Sequence, residues 1–368
     1  MAITSYTTMD AARLIGQSVK SGQMFRDIGA DHALVGLLLG ESSEVAHGQG
    51  KMLNFERMKR TTGKGPRVFA DIYPKTASQL VLGSSGANGE GAAVSRAYAS
   101  APFSFETGWY AFQVRSTIYE SDMIVEKGKE LLTEDLAETE AARVQEAIKL
   151  MVATQAYGVT LPDKNSFGSL NGLVSDGMTQ AEREAAYADG SRDGALTEAA
   201  RKDYGIDSAA NARWQSDVVP FASTPTVQAV VNFVEAHNAK MKSKVNSILS
   251  GIVRHQTWRD ALETTNGAIT TDLNTKRQAL GITGYSYRGI DFVMDNDAAL
   301  VADGGLNGQD AFYGIDPSKF VFHFNEQIAA SNYTSLKGIV NAAWEAEFKV
   351  YMQLTLGSRR SQIKWVKV

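Results

Sequence analysis

The chain has 368 residues, 37 basic and 41 acidic side chains, a formal net charge of −4 and no Cys. The missing Cys excludes disulfides, thiolate metal sites and thiol nucleophiles, and the slight acidic balance excludes a histone-like or repressor-like DNA binder, which needs a basic excess. A composition of 43% hydrophobic and 21% charged residues is that of an ordinary globular protein, with roughly two or three domains on a prior of ~150 residues each.

The N-terminus lacks a basic flank followed by an apolar run, and the longest apolar stretch, Ala33 to Gly40, is far too short to span a bilayer. A soluble protein made in a reducing compartment is the expectation. Up to Leu53 the apolar residues are scattered, with one short helix expected from Asp10 as N-cap through Ala11, Leu14 and Ile15. A basic cluster follows, Lys51, Arg57, Lys59, Arg60, Lys64 and Arg67, opposed only by Glu56. It reads either as a solvated approach to a strand or as a contact with phosphate or with an acidic face of a neighbouring chain.

Arg67 to Tyr73 alternates and is β-rich, then stops at Pro74. Leu80-Val-Leu82, a glycine-rich tip at Gly83 to Gly91 and a small-residue return lead back through Phe103-Ser-Phe105 to a long strand at Trp109 to Tyr119. In that strand Tyr110, Phe112, Val114 and Ile118 share one face, and Gln113, Arg115 and Thr117 the other. The pattern predicts a long extended hairpin. A lone two-stranded ribbon is marginal in water, so something must pack against it.

Glu130 to Tyr157 is the strongest helix, with Thr133 able to cap it, Glu134 and Asp135 in its first turn and Gly158 closing it. Leu132, Leu136, Val144, Ile148, Met151 and Val152 form its stripe, thinned at Glu140. About 24 residues of it make a rod about 36 Å long. Phe167 to Ser175 is a Gly/Ser-punctuated connector, and Asp176 to Tyr204 a polar surface excursion with a capping box at Thr179 and Glu182. Beyond a strand at Asp217 to Phe221, Thr224-Pro225 predicts a helix start, with Val227, Val230, Val231, Val234 and Met241 on its face. Further along, the spacing predicts a buried strand over Val245 to Val253, a short helix over His255 to Leu262 and a hairpin over Tyr285 to Met294 turning at Arg288-Gly289. Strands are expected at Phe312 to Ile315 and Phe320 to Phe324, and two more meeting near Gly357-Ser358 within Ala346 to Val368. The fold class is α+β, with strands drawn from distant parts of the chain.

Motifs for chemistry are scarce. The Gly83 to Gly91 run has no Gly-Lys-Ser/Thr ending and no following helix. His32, His47, His237, His255 and His323 share no metal-ligand spacing and are expected to be surface or capping groups. Asp291, Asp295 and Asp297 lack the central Gly and distal Glu of a calcium loop and read as a strand end with a turn. No Gly-x-Ser-x-Gly elbow occurs. Trp109, Trp214, Trp258, Trp344 and Trp365 read as core or interface anchors. No catalytic, cofactor-binding or metal-binding residue is nominated. An arm with little core of its own, a long ribbon and an extended strut make sense in a building block whose projections lie on sister copies.

The order of these pieces resembles the major capsid protein of tailed bacteriophages, with the Hong Kong 97-type shell fold that encapsulins share. The matching residues are Phe112-Gln-Val-Arg-Ser-Thr-Ile118 before the helix, Leu136 to Gly158 for the helix and Asn171-Gly-Leu-Val-Ser175 for the connector. Gly205-Ile-Asp-Ser-Ala-Ala-Asn-Ala-Arg-Trp214, Gly289-Ile-Asp-Phe-Val-Met-Asp295 and Phe312-Tyr-Gly-Ile-Asp-Pro317 complete the series. The resemblance covers nearly the whole chain; residues 176–204 are longer than the usual connector.

The resemblance implies an N-terminal arm at 1–60, an extended hairpin (E-loop) at 61–120, a peripheral domain with its spine helix at 121–205 and 325–368, and an axial domain at 206–324. It implies a structural, non-enzymatic subunit that forms pentamers and hexamers of an icosahedral shell around non-specifically packaged double-stranded DNA. The virion would be assembled in the host cytoplasm, without a membrane. Too little chain precedes the ribbon for the fused scaffolding domain of some members, so a separate scaffolding protein is expected, with a portal and decoration proteins as further partners. Inter-subunit contacts are expected at Arg57, Arg60, Arg67, Lys75, Leu80, Leu82, Tyr98, Phe103 and Trp109, and the spine-helix core at Leu136, Val144, Ile148 and Met151. Lys75 is also a candidate donor for the Lys–Asn crosslink that some members form. The alternatives are an encapsulin-like nanocompartment shell and a hydrolase using buried carboxylates.

Overall fold

The computed structural model describes residues 5–6, 33–34, 37, 55–57, 67–69, 104–119, 124–126, 129–157, 160–162, 165–176, 202–203, 206–207, 214–266, 271–272, 283–295, 311–324, 329–330, 334–335 and 343–367. In chain order its elements are β1 (Ser5–Tyr6), β2 (Phe55–Arg57), β3 (Arg67–Phe69), β4 (Ser104–Glu106), β5 (Tyr110–Tyr119), β6 (Ile124–Glu126), β7 (Lys129–Thr133), α1 (Glu134–Ala156), α2 (Leu170–Leu173), β8 (Lys202–Asp203), β9 (Ile206–Asp207) and β10 (Asp217–Phe221). There follow α3 (Val227–Met241), β11 (Ser247–Gly251), α4 (Ile252–Asn266), β12 (Thr271–Asp272), β13 (Gly284–Tyr287), β14 (Ile290–Asp295), β15 (Ala311–Ile315), β16 (Phe320–Phe324), β17 (Ala329–Ala330), β18 (Thr334–Ser335), β19 (Ala343–Leu356) and β20 (Ile363–Lys367). The class is α+β, as the sequence predicts. Among the described residues no helix is long and apolar enough to cross a membrane.

The 14-residue strand β19 organises the first sheet. β5 runs antiparallel to it from Ala343↔Tyr119 to Met352↔Tyr110, and β16 from Phe320↔Leu356 to Phe324↔Met352. The expected alternation in β5 holds: Phe112, Ser116 and Ile118 are buried while Gln113, Arg115 and Thr117 are exposed. Against that inner face lies α1, whose buried side is Ala141, Val144, Ile148, Val152 and Ala156, in one core with Phe112, Phe348 and Val350. The sequence places Trp109 to Tyr119 in the ribbon, but the strand is bonded to β19 instead. Its apolar face is too long to be left on a two-stranded element.

A seven-stranded mixed sheet has the order β10-β20-β15-β11-β14-β13-β12. Its two faces separate by residue parity. Leu249, Val293, Tyr313 and Ile315 enter the core shared with α1. Ile248, Phe292, Phe312 and Trp365 pack under α3 and α4 with Val230, Val231, Val234 and Trp258. Phe312 and Trp365 stack at 4.6 Å and 7°. The hairpin β13–β14 turns where expected, with positive φ at Arg288 (51°) and Gly289 (78°), the pairing a two-residue turn of this hand requires.

Several boundaries differ from the sequence reading. The spine helix starts at Glu134 because Lys129–Thr133 is a strand paired with β6 and, at Leu132 and Thr133, with β1, which removes Leu132 from the stripe. Thr226, not Thr224, caps α3, its hydroxyl accepting from the Ala229 N–H at 3.3 Å. The buried strand expected to reach Val253 ends at Gly251 and passes directly into α4. The two C-terminal strands expected on either side of Gly357-Ser358 are β19 and β20; they belong to different sheets, separated by a short turn of helix at Arg359–Ser361. His237, His255 and His323 are buried rather than surface groups.

The helix expected after Asp10, Lys51, Lys59 and Lys64 of the basic cluster, the glycine tip at 83–91, and His32, His47 and Asp297 lie outside the described residues.

Candidate assembly elements

β3 and β4 form a two-stranded base, antiparallel with Arg67↔Glu106, Val68↔Phe105 and Phe69↔Ser104. Residues 70–103 therefore leave and return at one point, Phe69 opposite Ser104. Of the nominated contact residues, Arg67 lies in this base. Arg57 lies in β2, paired parallel to β16 with Arg57↔Phe324, and Trp109 is half-buried just ahead of β5. Arg60, Lys75, Leu80, Leu82, Tyr98 and Phe103 lie outside the described residues, as does the side chain of Leu136.

Three residues of the expected spine-helix core are described with their side chains. Val144 and Ile148 are buried, and Met151 packs on the same core from a partly buried position. Glu140, which thins the stripe, is also buried. Its carboxylate accepts from Ser116 Oγ at 2.7 Å and from Arg143 at 2.6 Å, so a charge sits on the core side of the helix with donors from β5 and from its own next turn.

The connector is more tightly held than its Gly/Ser content suggests. Leu170 to Leu173 form one helical turn, fully buried. Ser169 and Thr160 bond reciprocally: Thr160 N donates to Ser169 Oγ at 2.8 Å, and Ser169 Oγ to Thr160 O at 2.9 Å. Gln353 of β19 accepts from Gly168 N at 2.7 Å and donates to the Gly108 and Ser166 carbonyls at 3.0 and 3.1 Å. Lys364 of β20, itself buried, donates to Asn171 Oδ1, and so does Tyr313 OH at 3.2 Å. Arg359 lies over the Trp214 ring at 5.7 Å, Ser216 Oγ donates to the Arg359 carbonyl at 3.0 Å, and Ser216 N to the Ser175 carbonyl at 2.9 Å. Two of the segments on which the resemblance rests, Asn171 to Ser175 and the one ending at Trp214, thus meet at the C-terminal corner between β19 and β20. Sequence reasoning missed these anchors because Arg359, Lys364 and Gln353 read as ordinary polar strand residues.

A third joint lies at the far end of the spine. Asp295, the last residue of β14, accepts on Oδ2 from Tyr157 OH at 2.6 Å and from Leu34 N at 3.1 Å. Asp295 is therefore a buried structural acceptor. Among the described residues, no group of three or more His, Asp or Glu side chains is placed to hold a metal ion.

Burial governs the shifted ionisations. His323 is held down at about 4 by burial, with Nε2 against Thr355 Oγ1 at 2.9 Å. His255, whose ring packs 4.8 Å from that of Tyr285, is lowered by burial first and by the nearby Arg259 charge, against a raising bond to the Phe292 backbone. Burial raises the Tyr285 hydroxyl.

No protein-family model matches the chain, and no curated protein does. Solved structures similar to it include the capsid of an empty GTA particle, at 11% identity over 87% of this chain and 92% of that one with a TM-score of 0.47. Another is the capsid asymmetric unit of cyanophage A-1(L), at 12% identity over 70% and 76% with a TM-score of 0.45. A third is the holo-SrpI encapsulin complex of Synechococcus elongatus, at 10% identity over 71% and 75% with a TM-score of 0.40. The proteins it is similar to are capsid and encapsulin shell proteins.

Proposed function

We propose that this chain is the structural subunit of a bacteriophage-type icosahedral shell, assembling as pentamers and hexamers around double-stranded DNA. The observation that carries the reading is the paired base Phe69↔Ser104. Residues 70–103 begin and end at this pairing, directly ahead of a strand and spine helix packed into one core. A projection fixed at its root to a rigid body suits contact with a sister copy. The contacts proposed for it are Arg67, Lys75, Leu80, Leu82, Tyr98, Phe103 and Trp109, with Arg57 and Arg60 approaching it. The expected division into arm, E-loop, peripheral and axial domains is kept in this reading, with β2, β5 and β16 joined to the sheet of β19, and β20 to the axial one. The subunit's role is mechanical, not catalytic, and its place is the virion, assembled in the host cytoplasm with a separate scaffolding protein and a portal.

Electron microscopy of the purified, assembled protein tests this. Closed icosahedral particles, large and DNA-filled when isolated from producing cells, are the expected result. Small particles enclosing protein would favour the nanocompartment alternative. A chain that stays monomeric and turns over a substrate would overturn the shell reading altogether.

A further inference from the structure

The Asp295 joint brings together three segments far apart in sequence. Asp295 ends β14 in the axial sheet, Tyr157 directly follows the spine helix, and Leu34 belongs to the N-terminal segment. The two bonds span sequence separations of 138 and 261 residues and end on the same oxygen, Oδ2. All three residues are buried, as are Ala33 and Leu37 on either side of Leu34. Leu34, Leu37, Tyr157 and Val293 share the core between the two sheets.

We propose that Asp295 is a coupling joint. Its Oδ2 fixes the far end of the spine helix to the axial sheet and seats the segment around Leu34 on the same point, so that seating of that segment and the lie of the spine against the sheet change together. Bonds to an ionised acceptor are stronger than neutral ones, and burial strengthens them further. A single oxygen receiving two donors cannot shift toward one without changing its geometry to the other. The spine cannot pivot on the axial sheet without straining the Leu34 bond, and withdrawal of the N-terminal segment removes one of the two donors from Oδ2. Coupling between two sites is reciprocal, so the effect must be readable from either side. A shell of pentamers and hexamers places one chain in non-identical surroundings. This joint is the point at which the N-terminal segment can bias the spine; that consequence, unlike the coupling itself, rests on the shell reading.

Hydrogen exchange on the full chain tests the coupling in both directions. Tyr157→Phe removes only a hydroxyl from the spine side. Exchange over residues 33–37, including the Leu34 amide that donates to Asp295, is expected to rise about tenfold. Leu37→Asp unseats the segment from its own side, and exchange over the last turn of α1 is expected to rise while that of β11 stays at the wild-type level. Asp295→Asn should raise both; should that variant fail to fold, the other two decide. Unchanged exchange at 33–37 in Tyr157→Phe, or unchanged exchange at the end of α1 in Leu37→Asp, overturns the joint. Wild-type protein that forms no closed particles sinks the shell reading but leaves these exchange results intact.

Discussion

Gly168 lies against Leu354 so closely that a Cβ built on it would stand 2.1 Å from the Leu354 carbonyl oxygen. The contact is with backbone in the buried last third of β19, so neither side can yield cheaply. Gly168→Ala is expected to cost about 3 kcal/mol or more of subunit stability, through displacement of the connector from β19. Thermal or denaturant unfolding of the soluble subunit measures it. Gly172→Ala, whose Cβ would meet the Thr160 carbonyl oxygen at 2.5 Å, should behave alike. A variant within 1 kcal/mol (a tolerance on the order of ordinary surface substitutions) would mean that the connector is held more loosely than its contacts indicate.

The spine's buried side predicts a sharp asymmetry between faces. Ile148→Asp places an unpaired charge where exposure is 0% and is expected to unfold the subunit, at a cost above about 4 kcal/mol. Leu150, 65% exposed on the same helix, should accept Asp with a change of about 0.5 kcal/mol or less. Circular dichroism melts of the two variants check the pair.

Glu140 and Ser116 form the one charged contact of β5 with α1 described above, and their interdependence can be measured. Ser116→Ala leaves a buried carboxylate oxygen short of a donor and should cost about 2 kcal/mol. With Glu140→Met added, the carboxylate itself is gone, and most of that loss should be recovered. A double-mutant cycle by denaturant unfolding gives the coupling; additive effects would show that the carboxylate does not depend on Ser116.

The buried histidines set a direction for acid sensitivity. His323 has a folded-state value near 4, against roughly 6.5 in an unfolded chain. Between those values the unfolded state binds the extra proton, so stability is full above the upper value and falls as pH drops through the window. The loss is on the order of 3 kcal/mol across it. His255, also lowered, adds with the same sign. Denaturant midpoints between pH 7.5 and 4 should fall, and His323→Gln should flatten part of that slope. An unchanged slope in the variant would place the acid response elsewhere.

Removal of residues 80–99 tests the ribbon apart from the body. The paired strands β3 and β4 lie outside the deletion. The shortened chain should keep the wild-type circular dichroism spectrum and melting temperature, and should fail to give stable shells under the electron microscope. Normal particles from it would remove the ribbon from the assembly contacts.

Local patterns carried much of this architecture. The alternation of Phe112, Gln113, Val114 and Arg115 marks β5, the spacing of Val144, Ile148 and Val152 marks the spine, and Arg288-Gly289 marks a two-residue turn, because each depends on near neighbours alone. What could not be read is pairing between distant segments. Nothing local to Tyr110–Tyr119 says that its partner is Ala343–Met352, and nothing in Arg359 or Lys364 announces a place beneath Trp214 and Asn171. The start of α1 was misread for a related reason: Lys129–Thr133 has a helix-compatible pattern, and its strand conformation is set by pairing with β6. Glu140 was seen only as a gap in a stripe, since its donor Ser116 lies on another element. Most of the candidate contact residues lie outside the described residues, and their counterparts would belong to another molecule.

The placement of β19 and β20 has a consequence for biosynthesis. β19 supplies the pairing partner of both β5 and β16, and β20 lies between β10 and β15. A nascent polypeptide that has not yet reached residue 343 has neither sheet complete, and β5 and β16 wait for a shared partner until that strand is translated. On the proposed shell reading, a half-made chain would thereby be kept from joining other copies ahead of time.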